Sequence, residues 1–320
     1  MKQHILPFTI DVEMRMYHNK SFPLGVIKAN IDNYNIWLCN KLITCVWRNG
    51  CVLDSVDNDI WGTREGLTFS QDMWVSPQMF LASGLNLIEF IKYMLSDDNY
   101  ITGGYDEYYI PNKIAFDNFH FSHDYILFGY DDNKRIFKSA AYLKDGTYNY
   151  YDIAYSDYYN AVTKNQISKT GLNFKKINTQ YEPILNIDKI ISDLEDYCGI
   201  NNSVTNSNND IYGLEALVSF SEYVLNRKGK LDARLSRGYA EHHFIMFKRC
   251  QILKKLNYIK DEQLVKDYEK IYLKTKTIHS LFIKYNITTE DILLERIAKL
   301  ILSLVPIEHE LIKRIIEAIK

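Results

Sequence analysis

Residues 123–142, HDYILFGYDDNKRIFKSAAY, limit the folds open to this chain more than any other stretch. HDYILFGY alternates and is rich in aromatic and β-branched side chains. Asp131-Asp132-Asn133-Lys134 carries turn chemistry, and RIFKSAAY supplies a second short run. That pattern predicts a β-hairpin. Side chains alternate faces along a strand, so His123, Tyr125, Leu127 and Gly129 share one side. His123 stands at the mouth of the first strand, away from the turn, with apolar neighbours behind it. A histidine held there is either placed as a general base or is a half-exposed strand-end residue with no chemical role. A partner nucleophile decides between the two.

Upstream, Pro7 and Pro23 interrupt residues 1–30, which read as short strands and turns. In IDNYNIWLCNKLITCVWRNG, Leu42, Ile43, Val46 and Trp47 fall at helical spacing and Gly50 reads as a stop. This predicts a helix from about Leu38 to Asn49, with Cys39 in its first turn. A short strand is expected around Thr68–Val75 and an amphipathic helix over 85–95. YITGGYDEYYIP reads as a strand ending at Pro111, with Asp106 and Glu107 as exposed edge charges that discourage aggregation. DGTYNYYDIAYSDY adds a turn and another strand. Helices followed by antiparallel strands make the first half α+β.

The polar stretch NQISKTGLNFKKINTQYEP marks a boundary, which divides the chain into a domain at 1–165, a linker at 166–183 and an α-helical domain at 184–320. Segments 186–197, 211–228, 234–257, 261–284, 288–303 and 306–319 each show the i, i+3, i+4 pattern of a bundle helix. Residues 201–210 form a polar loop. Thr288 or Thr289 caps the penultimate helix ahead of Glu290 and Asp291, and Pro306 separates it from the last.

A net charge of −2 argues against a nucleic-acid surface. Five scattered cysteines make no disulfide framework and suit a reducing cytoplasm. The N-terminal residues lack a signal-peptide core and no 18-residue apolar run occurs, so a cytoplasmic protein with no membrane span is expected. No Cys/His cluster has metal-site spacing, and the adjacent His242 and His243 cannot face one point on a helix. Gly103-Gly104 is no phosphate loop, and no GxSxG elbow occurs. What remains is Cys39 with His123. The N–H groups and dipole at a helix start lower a thiol pKa, which favours Cys39. Cys45 fits a small core residue. Cys51, in the loop after Gly50, is the second candidate.

These residues resemble papain-like cysteine enzymes of the bacteriocin-leader peptidase and butirosin-acyltransferase kind. CNKLITCVWRNG from Cys39 is similar to their catalytic helix, and HDYILFGYDDNKRIF from His123 to their histidine strand. EYYIP at 107–111 and YAEHHFIMFKR at 239–249 resemble segments of papain-fold proteins from nonribosomal peptide and polythioamide (closthioamide-type) biosynthesis. The resemblance covers most of the chain and is strongest over 100–137. It implies a papain-like domain, a Cys-bearing helix on an antiparallel sheet, followed by an all-α domain. It also implies an amide-forming acyltransferase with no bound cofactor. The donor would be the phosphopantetheine thioester of an acyl or peptidyl carrier protein, and the acceptor a small amine. Cys39 would take the acyl group and His123 would shuttle the proton. The Cys39 N–H with Asn33, or alternatively Asn35, would hold the oxyanion. Where the family places an Asp or Asn to orient the histidine, this chain has Ser139-Ala140-Ala141-Tyr142. Asp106 is then the candidate, unless the dyad works alone or catalysis has been lost; Asp124 faces away from His123. A cysteine peptidase or amidase, and a non-catalytic papain-fold binding protein, are the alternatives.

Overall fold

The computed structural model describes residues 2–57, 59–165, 171–200 and 210–320. In chain order the elements begin β1 (Gln3–Ile5), α1 (His18–Asn30), α2 (Tyr34–Cys39), β2 (Thr44–Arg48), β3 (Val52–Val56), β4 (Thr68–Val75), α3 (Pro77–Ser83) and α4 (Leu87–Ser96). They continue β5 (Asn99–Asp106), β6 (Ser122–Asp131), β7 (Ile136–Tyr142), β8 (Tyr148–Ala154), α5 (Tyr155–Thr163) and β9 (Leu172–Ile177). Last come α6 (Ile187–Tyr197), β10 (Ile211–Tyr212), α7 (Gly213–Asn226), α8 (Ala233–Lys255), α9 (Glu262–Thr288) and α10 (Ile292–Ile319). The protein is α+β, with antiparallel sheets and a helical C-terminal region.

Two compact units form, and they are not consecutive in sequence. Unit 1 is Met1–Asp32 with Asp59–Tyr181, and unit 2 is Asn33–Asn58 with Glu182–Lys320. The division near 182 lies at the end of the stretch read as a linker, but 33–58 joins the C-terminal helices. Much of that stretch is β9, a strand paired on both sides. Residues 166–170 of it lie outside the described residues, as does the 201–210 loop apart from Asp210.

Unit 1 is built on an antiparallel sheet in the order β4-β9-β5-β6-β7-β8, with β1 added on β6. The hairpin expected at 123–142 is β6–β7. Asp131 Oδ1 accepts the N–H groups of Asn133 (2.9 Å) and Lys134 (3.2 Å), and Arg135 takes φ 55°, which closes the turn. The amphipathic helix expected over 85–95 is α4. Its N-cap Asn86 accepts from the Ile88 and Glu89 N–H groups at 3.0 and 3.3 Å. One shift concerns β5, which ends at Asp106 rather than Pro111 and passes into a 3-10 turn, Glu107–Tyr109. Asp106 and Glu107 are buried there, not edge charges.

The larger departure is α1. HNKSFPLGVIKAN is a helix, not strands and turns, and its residues His18 and Lys20 through Ile27 are all buried. A helix enclosed on every side shows no amphipathic period, so its sequence does not announce it. Close enclosure also explains Gly25: a Cβ there would lie 2.6 Å from the Thr9 carbonyl oxygen and 2.7 Å from the Phe8 ring.

In unit 2 the helix expected from Leu38 to Asn49 does not form. Instead α2 ends at Cys39, and 44–56 is the hairpin β2–β3. Asn49 (φ 49°) and Gly50 (φ 68°) make its turn, so Gly50 turns a hairpin rather than stopping a helix. The five helices α6–α10 enclose the apolar core of this unit. Pro306 lies inside α10, which runs unbroken through the expected break. Thr289, with φ 55°, ends α9 rather than capping α10. The His242-His243 pair serves this core. His242 Nδ1 meets Ser55 Oγ at 3.0 Å, and His243 donates from Nδ1 to the Tyr239 carbonyl and shares an Nε2 proton with buried Glu308 at 2.9 Å. Tyr197 and Tyr268 donate to the other Glu308 oxygen. Among the described residues no helix is long and apolar enough to cross a membrane.

The seat of α1 is testable. Gly25→Ala is expected to destabilise unit 1 by about 1–3 kcal/mol, the usual range for a methyl forced into a filled core. Denaturant unfolding of the full chain checks it, and an unchanged midpoint would show that α1 is less tightly held.

Candidate functional site

The side chains around His123 come from three parts of unit 1. Strand β6 carries His123, the 3-10 turn after β5 carries Glu107, and the first turn of α1 carries His18. The register Tyr105↔His123 and Asp106↔Ser122 brings the start of β6 beside the end of β5, which delivers Glu107 to the histidine. His123 Nδ1 lies 2.8 Å from Glu107 Oε1. A carboxylate only accepts, so Nδ1 carries a proton. No described residue hydrogen-bonds Nε2. The imidazole is about one-third exposed, whereas the Glu107 side chain is only 4 % exposed. Behind the carboxylate, Lys113 Nζ lies 3.5 Å from the same oxygen and donates to the Tyr142 carbonyl at 2.9 Å. Burial pulls Lys113 down to about 8, against the opposing pull of Glu107.

His18 closes the other side of the pair. Its ring centre is 4.6 Å from that of His123 and 4.6 Å from that of Phe22. It is 5 % exposed, and neither ring nitrogen makes a well-aligned hydrogen bond among the described residues. Burial, then the charges of His123 and Lys113, pushes His18 down to about 3, with only the Asp124 backbone pulling upward. It is therefore a neutral imidazole near pH 7. The α1 N-terminus beside it has no side-chain cap.

Asp106 does not orient His123. Its Oδ2 lies 2.6 Å from His120 Nδ1, and its Oδ1 accepts the N–H groups of Tyr108 and Phe121, each at 3.1 Å. It thus caps the 3-10 turn that holds Glu107. The residue that does orient His123 is its sequence neighbour. The acidic pair in a tyrosine-rich strand was a visible signal, but its burial was not. His18 left no signal, because α1 was not legible as a helix.

Cys39 and Asn33 both belong to unit 2. Cys39 is the last residue of α2 rather than in the first turn of a helix, so the helix dipole there disfavours a thiolate. The residue is 1 % exposed, and burial pushes its thiol up to about 11 despite the charge of Arg249. Arg249 Nε donates to the Cys39 carbonyl at 2.9 Å and its Nη2 to the Lys41 carbonyl, which caps the C-terminus of α2. Asn33, the N-cap position of α2, is exposed and makes no side-chain cap bond; Asn35 is exposed as well. Cys45 is buried and donates to the Gly213 carbonyl at 3.3 Å, whereas Cys51 is exposed. All five cysteines fall in unit 2, and within unit 1 His123 hydrogen-bonds Glu107 and makes ring contacts with His18 and Phe121. Among the described residues no group of three or more His, Cys, Asp or Glu side chains converges to hold a metal ion.

No protein-family model and no curated protein sequence matches this chain.

Alkylation of the native protein should modify Cys51 first and Cys39 only on unfolding, read by peptide mass spectrometry; rapid labelling of Cys39 would overturn its assignment to a closed core. The second expectation concerns acid. With His18 held near 3 and an unfolded histidine at 6.5, the unfolded state binds the extra proton between those values. Stability is then full above pH 6.5 and is lost as pH falls toward 3, with up to about 1.4 kcal/mol per pH unit from this group. His18→Phe should flatten that slope by one proton, leaving the share of buried His242, which is shifted the same way by burial. An unchanged slope would show that His18 charges freely in the fold.

Proposed function

We propose that unit 1 is a papain-like acyl-transfer module in which the His123–Glu107 pair acts as general base on an amine. The carrying observation is the 2.8 Å contact from His123 Nδ1 to a buried carboxylate, on a part-exposed ring whose Nε2 has no hydrogen-bond partner among the described residues. That arrangement matches what proton abstraction from a nucleophile requires. A helix whose first turn meets a histidine-bearing strand supports the papain-like comparison; that first turn carries His18 and Asn19, not a thiol.

The chemistry that fits this chain is therefore direct transfer. The acyl group arrives as a carrier-protein thioester on its phosphopantetheine arm. As the amine nitrogen bonds to the carbonyl carbon, His123 Nε2 takes its proton, and Glu107 stabilises the imidazolium that forms. The carbon–sulfur bond then breaks and the departing sulfur takes the proton from His123. An amide and a free thiol result, with His123 neutral again. The uncapped N-terminus of α1 supplies N–H groups and positive dipole for the developing oxyanion. An acyl-cysteine intermediate on Cys39 draws no support from a buried thiol pushed up to about 11.

The test is amide formation from an acyl-pantetheine thioester and benzylamine, followed by mass spectrometry. His123→Gln should slow it by about 10²–10⁴-fold, the typical worth of a positioned base. Glu107→Gln should slow it less, and Cys39→Ala should leave the rate within about twofold. An acyl adduct on Cys39 together with loss of rate in Cys39→Ala would restore the covalent route. Transfer that ignores His123→Gln would leave unit 1 as a binding module, the reading favoured by its lack of any cysteine.

A further inference from the structure

Between α1 and the sheet lies a cavity of ≈ 360 Å³ whose described lining residues belong to unit 1. Among the described lining residues Asp124 is the one that carries a formal charge at neutral pH, since His18 is neutral there. Asp124 is exposed, and its carboxylate takes no ion pair or hydrogen bond from a described residue. Strand alternation puts it on the opposite face of β6 from His123, the face that pairs with Gly104. His18 also lines the cavity, 5 % exposed, with both ring nitrogens lacking a well-aligned partner. A buried polar ring left in that state costs free energy unless a ligand completes it.

Two further features add acceptors and room. Pro23 lacks the N–H that an α-helix directs at the carbonyl four residues back, that of Asn19, and both residues line the cavity. Gly103 keeps the floor open, since a Cβ there would lie 2.9 Å from both the Gly171 carbonyl oxygen and the Tyr125 hydroxyl. Trp61 forms an apolar wall; Lys175 Nζ already lies 5.9 Å from its ring centre, so the indole is not the seat of a second cation. A carboxylate, an uncharged imidazole and a carbonyl without its helical donor make an acceptor-rich lining. We propose that this cavity is a binding site for an organic ammonium group, seated on Asp124 and His18. This binding does not rest on the acyl-transfer reading.

The experiment is a ligand-observed NMR titration of the full chain at pH 7 with benzylamine, benzyl alcohol and benzoate, with no acyl donor present. Saturable binding is expected for benzylamine alone. Asp124→Asn should weaken it about tenfold or more, the worth of one charge-assisted hydrogen bond, while Asp124→Glu retains most of it. Because Asp124 is exposed, Asp124→Asn is expected to melt with the parent protein, which separates lost binding from lost folding. Benzyl alcohol or benzoate binding as tightly, an unaltered benzylamine affinity in Asp124→Asn, or no saturable benzylamine binding would each overturn the site. Absent transfer activity alongside Asp124-dependent benzylamine binding would defeat the acyl-transfer reading and leave this site standing.

Discussion

Burial of α1 on all sides is the constraint on which the rest of unit 1 depends. The helix is held so closely that Gly25 has no room for a methyl group against Phe8 and Thr9. That enclosure puts His18 out of water and against His123, and it lines one wall of the cavity with the first turn and Pro23. Desolvation is the first cause of the neutral state of His18. A looser helix would wet the imidazole and remove the contrast between His18, kept uncharged, and His123, which has a carboxylate on one nitrogen.

Adjacent carboxylates divide two tasks between them. Asp106 spends its oxygens on the N–H groups of Tyr108 and Phe121 and on His120, and so shapes the turn. Glu107, one residue on, is then aimed at His123 with Lys113 behind it. Each is buried, and each has the partners that a buried carboxylate needs. The aromatic column next to them extends the order inward: Tyr105 stacks on Tyr125 at 5.1 Å, and their hydroxyls pair with Tyr151 and Tyr158. The abundance of tyrosine in this region thus has a structural use, since each phenol fills volume and satisfies another phenol.

In unit 2 the same rule governs a different outcome. The stretch YAEHHFIMFKR places Tyr239, His243 and Arg249 inward on α8, where they tie Glu308 of α10 and the end of α2 into one core. Cys39 is enclosed by that arrangement, its carbonyl held by Arg249 and its thiol desolvated. Pro306 stays within α10 on its exposed face, two residues before Glu308, while Leu304 and Glu308 on the inward face are buried and hold the helix through the local cost of a missing N–H.

Patterns that lie along the chain were legible from composition and period. The 123–142 hairpin, α4, β4 and the C-terminal helices follow from alternation, amphipathic spacing and turn residues, each a property of neighbours in sequence. His123 was visible as a strand-end histidine for the same reason. Tertiary structure alone decided that 33–58 joins the C-terminal unit, that 44–56 is a hairpin though Leu42 to Trp47 also fits helical spacing, and that α1 is a helix. It also decided which carboxylate meets His123, because Asp106 and Glu107 are the same chemistry one residue apart and only the turn after β5 tells them apart. Local sequence sets the period of exposed and half-buried segments. Where a segment is buried on every side, or a side chain's role depends on a partner from another element, the deciding free energy comes from contacts that no window along the chain contains.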